Sequence, residues 1–244
     1  MIFSILPPPV HSPSLFIHSP GWCPWGSLLQ YKLDPFPHHP RPLQLVWSKG
    51  HGVGSWSLLN NLLNNGDNPV KPGKLVPYLV LNVERHAEND RGNFYNRTEE
   101  AVIIDLVKAA SKICGKTPRI GIITYYNRQK QNITLKLKNE NLNKEDRIRV
   151  DTVDAFQGSE RDVVFVSCVR GGTGGVGFLT DGQRLNVSLT RAVSSLVVVG
   201  NMTTLRSSSP AWRELIEDAK KRKLFYYYLP GSLNLAKLLK RNDN

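Results

Sequence analysis

Cysteine is scarce in this chain of 244 residues, and Cys23, Cys114 and Cys168 are too few and too scattered for a disulfide framework or a zinc site. A reducing intracellular compartment is the economical expectation. Long apolar runs are also lacking. Residues 1–10 have no basic stretch ahead of them, and Pro7, Pro8 and Pro9 break their apolar run well short of the ~20 residues a bilayer helix requires. Neither a secretory leader nor a membrane partner is expected. Acidic residues are in deficit, with 20 Asp+Glu against 32 Lys+Arg, a net charge of +12 and a pI near 9.7. Such a balance favours nucleic acid, a phosphorylated ligand or an acidic membrane without choosing among them.

The deficits divide the chain. Residues 1–77 hold 13 of the 16 prolines, 4 of the 5 tryptophans and 5 of the 6 histidines, but only two acids, Asp34 and Asp67. Proline fixes φ, removes a donor and pushes its predecessor out of the helical region, so Pro7 to Pro42 support neither continuous helix nor central strand. Residues 1–77 are expected to be an irregular Pro-rich segment and linker, with at most a helical turn at Leu58 to Gly66. Residues 78–244 carry 27 basic and 18 acidic residues, +9 of the +12, so the charge belongs to the part with a folding pattern.

That pattern alternates apolar runs of strand length with amphipathic stretches. Strands are expected at Tyr78–Val83, Arg119–Thr124, Arg147–Thr152, Val163–Val169, Leu196–Val199 and Leu224–Tyr228, several of them apolar on both faces as in a parallel sheet covered on both sides. Asn96-Arg97-Thr98-Glu99 fits an N-cap with an acidic partner at the third helical position. Val102, Ile103, Leu106, Val107, Ala110 and Ile113 follow at helical spacing, and Gly115 closes the helix. Ile133, Leu135 and Leu137 belong to a second, more basic helix after Asn127, and residues 210–222 form another that opens on proline. The class is α/β. The domain expected over 78–230 is followed by a basic tail at 231–244.

Several motifs invite chemistry. Residues 110–117 fit a loose phosphate-loop pattern, but they end a helix and lead into a strand, the reverse of a working loop, so a helix cap is the better account. The cluster Gly171 to Gly177 allows close approach to phosphate or is merely a glycine-rich loop. VDTVDAFQGSERDVVFVSCVR at 150–170 is more informative. Its polar turn, with Asp154, Gln157, Gly158, Glu160 and Asp162, interrupts two strands that do not need it. It therefore serves a ligand at the strand ends, where open α/β sheets bind, or is a solvated turn. In QRLNVSLTRAVSSLVVVGN at 183–201 a short helix is expected to end at Arg191. Arginine there suits bidentate phosphate contact, with a surface ion pair as the bland alternative.

Together these blocks resemble motifs V and VI of the superfamily 1 helicases of the up-frameshift and senataxin type. GNFYNRTEEA is similar to the opening of their second RecA-like domain, and IGIITYYNRQKQ to motif IV. The four blocks stand in family order over about residues 78–228. The resemblance implies a RecA-like, P-loop NTPase-type fold, a mostly parallel sheet with helices on both faces, preceded here by the Pro-rich segment. It implies ATP and Mg²⁺ bound between two lobes, of which this chain matches the second. By motif position Gln157 and Gly158 would approach the nucleotide phosphates and Glu160 its sugar. Arg191 would be the arginine finger, the one catalytic residue. Thr124, Tyr126 and Thr152 would touch the backbone of single-stranded RNA or DNA, with Lys130, Lys136 and Lys138 adding sequence-independent attraction. The chain departs from the family at Tyr125, where proline is common, and at Val193, where a basic residue is common. Leu29 to Pro35 is similar to the family's Gln-Tyr-Arg-Met-His-Pro block, with Lys32 and Asp34 as departures.

No phosphate loop and no strand ending in Asp-Glu are found, so the ATP-binding first RecA-like lobe, the partner this lobe would close on, is expected to be missing from this chain. Alone, the chain is expected neither to hydrolyse ATP nor to hold nucleotide or metal tightly. The leading expectation is the C-terminal lobe of an ATP-dependent RNA/DNA helicase in the nucleus or cytoplasm. The alternatives are a non-catalytic nucleic-acid-binding module and an inactive helicase fragment.

Overall fold

The computed structural model describes residues 74–143, 145–171 and 175–240. The helical turn expected at 58–66 and the block at 29–35 lie outside them. All six expected strands form: β1 (Tyr78–Asn82), β4 (Ile120–Thr124), β5 (Ile148–Thr152), β6 (Arg161–Ser167), β7 (Ala192–Gly200) and β8 (Phe225–Tyr227). They make one six-stranded sheet in the order β5-β4-β6-β7-β1-β8, with every pairing parallel. Successive side chains of a strand point to opposite faces. Val164, Val166, Leu196 and Val198 accordingly enter one apolar cluster, and Val163, Phe165, Val197 and Val199 the other. Each cluster is roofed by helices, which is the RecA-like α/β architecture.

Over one face lie α1 (Arg97–Cys114), α2 (Asn127–Asn139) and the short α6 (Leu235–Leu239). Over the other lie α3 (Gly182–Leu189), α4 (Met202–Ser208) and α5 (Pro210–Lys221). α1 ends at Gly115 with φ 75°, so Lys116 follows a left-handed helix cap and the phosphate-loop reading of 110–117 falls. α5 opens on Pro210 beneath a Ser209 cap, as its sequence predicts. In α2, Ile133 and Leu137 are buried one turn apart, whereas Leu135 is 57% exposed. Its two-residue offset turns it to the outer face. α3 stops at Leu189, so Arg191 lies beyond the helix, in the connection to β7. Among the described residues, the elements not read from the sequence are the hairpin β2 (Glu88–Asp90) and β3 (Asn93–Tyr95), the helical turn Gly177–Thr180, and the Asn-capped helices α4 and α6. Within the stretch expected as a basic tail, Leu235 and Leu239 are buried in the α1 cluster, and Lys240 bridges to Leu75.

The helix start at Asn96 is built differently from a simple capping box. Asn96 Oδ1 accepts from the N–H groups of Thr98 and Glu99, as expected of a cap. Its own N–H donates to Gln129 Oε1 on α2 (2.8 Å). Glu99 Oε1 accepts from Asn96 Nδ2 (3.3 Å), and the same carboxyl reaches across the sheet edge, where Oε2 accepts from Ser167 Oγ (2.7 Å) and from the Val169 N–H (2.9 Å), while Gln129 Nε2 donates to Ser167 Oγ (2.9 Å). Burial pushes the Glu99 carboxyl up from 4.5 to about 7, against the opposing hydrogen bonds from Val169 and Ser167.

The sign follows from linkage. Between the unfolded value and about 7 the folded chain holds a proton that the unfolded chain has released, so stability falls as pH rises through that window. The loss is on the order of 3 kcal/mol at 1.36 kcal/mol per unit. In urea titrations from pH 5 to 8 the midpoint of the protein is expected to decline, and that of Glu99→Gln to stay much flatter. A wild-type midpoint that rises over this range contradicts the assignment.

Candidate functional site

A parallel sheet has two chemically distinct edges, and the residues singled out from the sequence divide between them. At the carboxyl edge Thr124 of β4 stands in register with Thr152 of β5 and Ser167 of β6. Thr124 is fully buried, and its Oγ1 has no hydrogen-bond partner among the described residues. A buried hydroxyl left so costs about 1–3 kcal/mol. Thr152 is half-buried, its N–H bonded to Asp151 Oδ1 (3.0 Å). Tyr126 precedes the first residue of α2 in extended conformation. Burial raises its phenol pKa, with the Arg170 guanidinium pulling the other way. Tyr125, where the resembled family commonly has proline, is buried with its hydroxyl 2.9 Å from Ser188 Oγ, so it ties the exit of β4 to α3.

Residues 153–160 then carry the chain from the carboxyl end of β5 to the amino end of β6, on the far side of β4. They cross β4 without a helix. Phe156 anchors the crossing and is fully buried. A Cβ at Gly121 of β4 would come 2.7 Å from Phe156 Cζ, so only glycine lets the ring lie against the strand. Arg149 of β5 fastens the segment from outside. Its Nη1 donates to Ser159 Oγ (2.7 Å) and its Nη2 to the Ala155 carbonyl (2.8 Å), and its guanidinium lies 4.9 Å from the centroid of Phe156. Within the segment Gln157 and Gly158 are exposed. Gly158 adopts φ 75°, and the space where a Cβ would stand is open.

The crossing delivers Glu160 to the amino edge, which decides between the two strand ends that the sequence left open for this turn. The reason is topological, since a parallel strand has to be re-entered from its amino end. There Arg161 N–H donates to the Arg191 carbonyl (3.0 Å), and Arg161 pairs with Ala192, so Glu160 and Arg191 precede adjacent strands. Arg191 is half-buried, its Nη2 2.8 Å from Thr190 Oγ1 and its Nε 3.2 Å from the Val187 carbonyl. The seven residues of β6, at about 3.3 Å each, hold the two edges about 20 Å apart.

Two of the three lysines expected to attract phosphate are ion-paired. Lys130 Nζ lies 2.7 Å from Asp151 and Lys136 Nζ 3.0 Å from Glu100, while Lys138 is exposed. Among the described residues no group of three His, Cys, Asp or Glu could hold a metal ion. The amino edge thus fits one side of a nucleoside triphosphate, with an arginine, open backbone at Gly158 and one carboxylate. It does not supply a Mg²⁺ ligand set.

Gly121, Arg149 and Phe156 were not singled out from the sequence, although a glycine inside the apolar strand IGIIT signals close approach. Gly121→Ala is expected to destabilise the chain by about 1–3 kcal/mol through overpacking against Phe156. Phe156→Leu in the same chain should restore part of that loss, and a double-mutant cycle in urea reads the coupling. Additive effects would show that the contact is not limiting.

Residues 58–203 match the family described as AAA domain (AAA_12). The chain is 40% identical over 151 residues to "Probable helicase senataxin" of Mus musculus, covering 60% of this chain and 6% of that protein. It is 40% identical over 160 residues to "Helicase sen1" of Schizosaccharomyces pombe, covering 62% and 9%. It is 38% identical over 151 residues to "Regulator of nonsense transcripts 1" of Caenorhabditis elegans, covering 60% and 14%. The matched region is a small part of each relative's length. The chain belongs to the AAA_12 family of AAA domains, and the domain it carries is of the senataxin-like superfamily 1 helicase type.

Proposed function

We propose that this chain acts as the second RecA-like lobe of an ATP-dependent RNA or DNA helicase, in the nucleus or cytoplasm, closing on nucleotide held by a first lobe. The observation that carries the reading is that Glu160 and Arg191 immediately precede the paired residues Arg161 and Ala192 at one sheet edge, about 20 Å from the threonines at the other. In this reading Arg191 meets charge developing on a transferring phosphoryl group, Glu160 accepts from a sugar hydroxyl, and Gly158 admits a phosphate beside its backbone. When bound with Mg²⁺ on the first lobe, ATP supplies the phosphoryl group whose hydrolysis drives the motor.

Thr124, Tyr126 and Thr152 serve the opposite edge. Hydroxyls and amides at strand ends hold phosphates without reading bases, as movement along any sequence requires. The unpartnered Thr124 hydroxyl is a donor that a small rearrangement of the edge would bring to such a phosphate. Among the described residues no helix is long and apolar enough to cross a membrane.

The test is a protein joining this chain to a first RecA-like lobe. Arg191→Ala is expected to lower ATP turnover by about 10³-fold or more while single-strand affinity stays within about twofold. Unchanged turnover removes the finger role from Arg191. Salt-dependent single-strand binding with no turnover, even in the joined wild-type protein, favours a non-catalytic binding module instead.

A further inference from the structure

Among the described residues four large apolar side chains stand out as exposed: Leu135, Phe178, Tyr227 and Leu229. Leu135 lies on the outer face of α2, and Tyr227 and Leu229 lie in and just after the edge strand β8. Phe178 differs from these in its surroundings. It sits in the helical turn Gly177–Thr180 that follows β6, and 57% of it is open to solvent. A strip of aromatic rings and cations continues from it along the carboxyl edge. The rings of Phe178 and Tyr126 have centroids 6.4 Å apart, and those of Tyr126 and Phe94 are 5.6 Å apart in an edge-to-face arrangement. The guanidinium of Arg184 lies 4.7 Å from the centroid of Phe178, and that of Arg170 4.2 Å from the centroid of Phe94.

The strip is held in place rather than loosely exposed. Arg184 is fixed by two hydrogen bonds to Asp154, at 2.9 and 3.0 Å, so one side of the Phe178 ring is occupied by a positioned cation. The turn itself is seated on the strip. Gly177 has φ 55°, and a Cβ there would stand 3.1 Å from Arg170 Nη1 and 3.2 Å from Tyr126 Oη. Burial of an apolar ring does not account for Phe178, since most of the ring is open to solvent. A largely exposed ring with a guanidinium fixed on one side, at the strand edge that carries Thr124 and Thr152, has the chemistry that stacks a base.

We propose that Phe178 is a base-stacking platform for single-stranded nucleic acid, its ring backed by the Asp154-bound Arg184 and with Arg170 drawing a phosphate beside the stacked base. This rests on the reading of the carboxyl edge as the nucleic-acid face, and it adds contact with a base to a surface otherwise suited to the backbone alone. Because every base has a π-face, the platform is indifferent to sequence but sensitive to the presence of a base.

The experiment compares fluorescence-anisotropy binding of a 12-nucleotide thymidine strand and an abasic strand of equal length by the full chain. The wild-type protein is expected to favour the thymidine strand. Phe178→Ala is expected to bind that strand about fivefold or more weakly, with abasic affinity unchanged, and Phe178→Tyr to bind it as the wild type does. Because the ring is exposed, the urea midpoints of both variants should match the wild type, and Phe178→Leu, which keeps apolar bulk without the π-face, should bind like the alanine variant. Equal binding of the thymidine strand by wild type and Phe178→Ala, or equal losses on both strands, overturns the platform while leaving the nucleic-acid face standing. Failure of the wild type to bind either strand overturns both.

Discussion

The carboxyl edge depends on one buried carboxylate. Glu99 is enclosed where the amino end of α1, the start of α2 and the end of β6 meet, and its Oε2 takes the Ser167 hydroxyl and the Val169 N–H together. Two effects compete on its charge. The helix terminus and the hydrogen bonds favour the carboxylate, and loss of water opposes it. Burial prevails, which is why the group sits near neutrality. The bond to Val169 has a further role, because Val169 adopts φ 68°, a left-handed conformation that costs a β-branched residue about 1–2 kcal/mol. Such strain persists where the surroundings over-determine it. The turn it makes brings the next residue, Arg170, over Phe94, so the aromatic strip follows from the same constraint.

The amino edge is governed by a different economy of space. A parallel connection ordinarily uses a helix to return to the amino edge. Here residues 153–160 make the journey alone, and the sheet accommodates them by giving up a side chain at Gly121. The crossing joins the two edges covalently: Thr152 stands at its start and Glu160 at its end. Arg149 grips both its neighbour Asp151 and the crossing at Ala155 and Ser159. A ligand that displaced Gln157 or Gly158 would pull against this arginine, and through Asp151 against Lys130 on α2. The contacts form a continuous chain from edge to edge. Transmission along it requires in addition that some member have two stable arrangements.

Much of the fold was legible because a two-sided parallel sheet writes itself in uninterrupted apolar runs. Val163 to Val166 and Val197 to Val199 have no polar face to obscure them, and all six strands were found. Caps were legible for the same local reason, as at Asn96 and Gly115. What escaped was short or remote. The hairpin β2–β3 has three residues per strand, below any period, and α4 and α6 are two turns or less. The local partner of Glu99 was legible, since Asn96 Nδ2 donates to its Oε1 (3.3 Å), but Ser167 and Val169, which bond its other oxygen, lie about 70 positions away in the chain. The site residues were named by motif, but their division between two edges follows from strand order, which sequence alone does not state.

Charge is the remaining property whose meaning the structure alters. The excess of basic residues in 78–244 reads in the sequence as a general attraction for phosphate. Several of those cations hold the protein itself together: Arg119 with Asp162, Arg149 with Asp151, Arg184 with Asp154, and Lys130 and Lys136 with acids on neighbouring elements. A cation already facing a carboxylate offers a phosphate little net field, and its removal unpairs an acid as well. Asp151 shows the consequence: burial raises its carboxyl, but Lys130, Arg149 and the Thr152 N–H outweigh that and hold it below the usual range. Losing Lys130 would release the end of β5 before it weakened any grip on a strand. The attraction for nucleic acid therefore resides in the excess itself, spread over the surface and open to screening by salt. In the proposed reading the geometry of the grip belongs to a few fixed groups at the carboxyl edge. Ionic strength acts on the first and leaves the second in place.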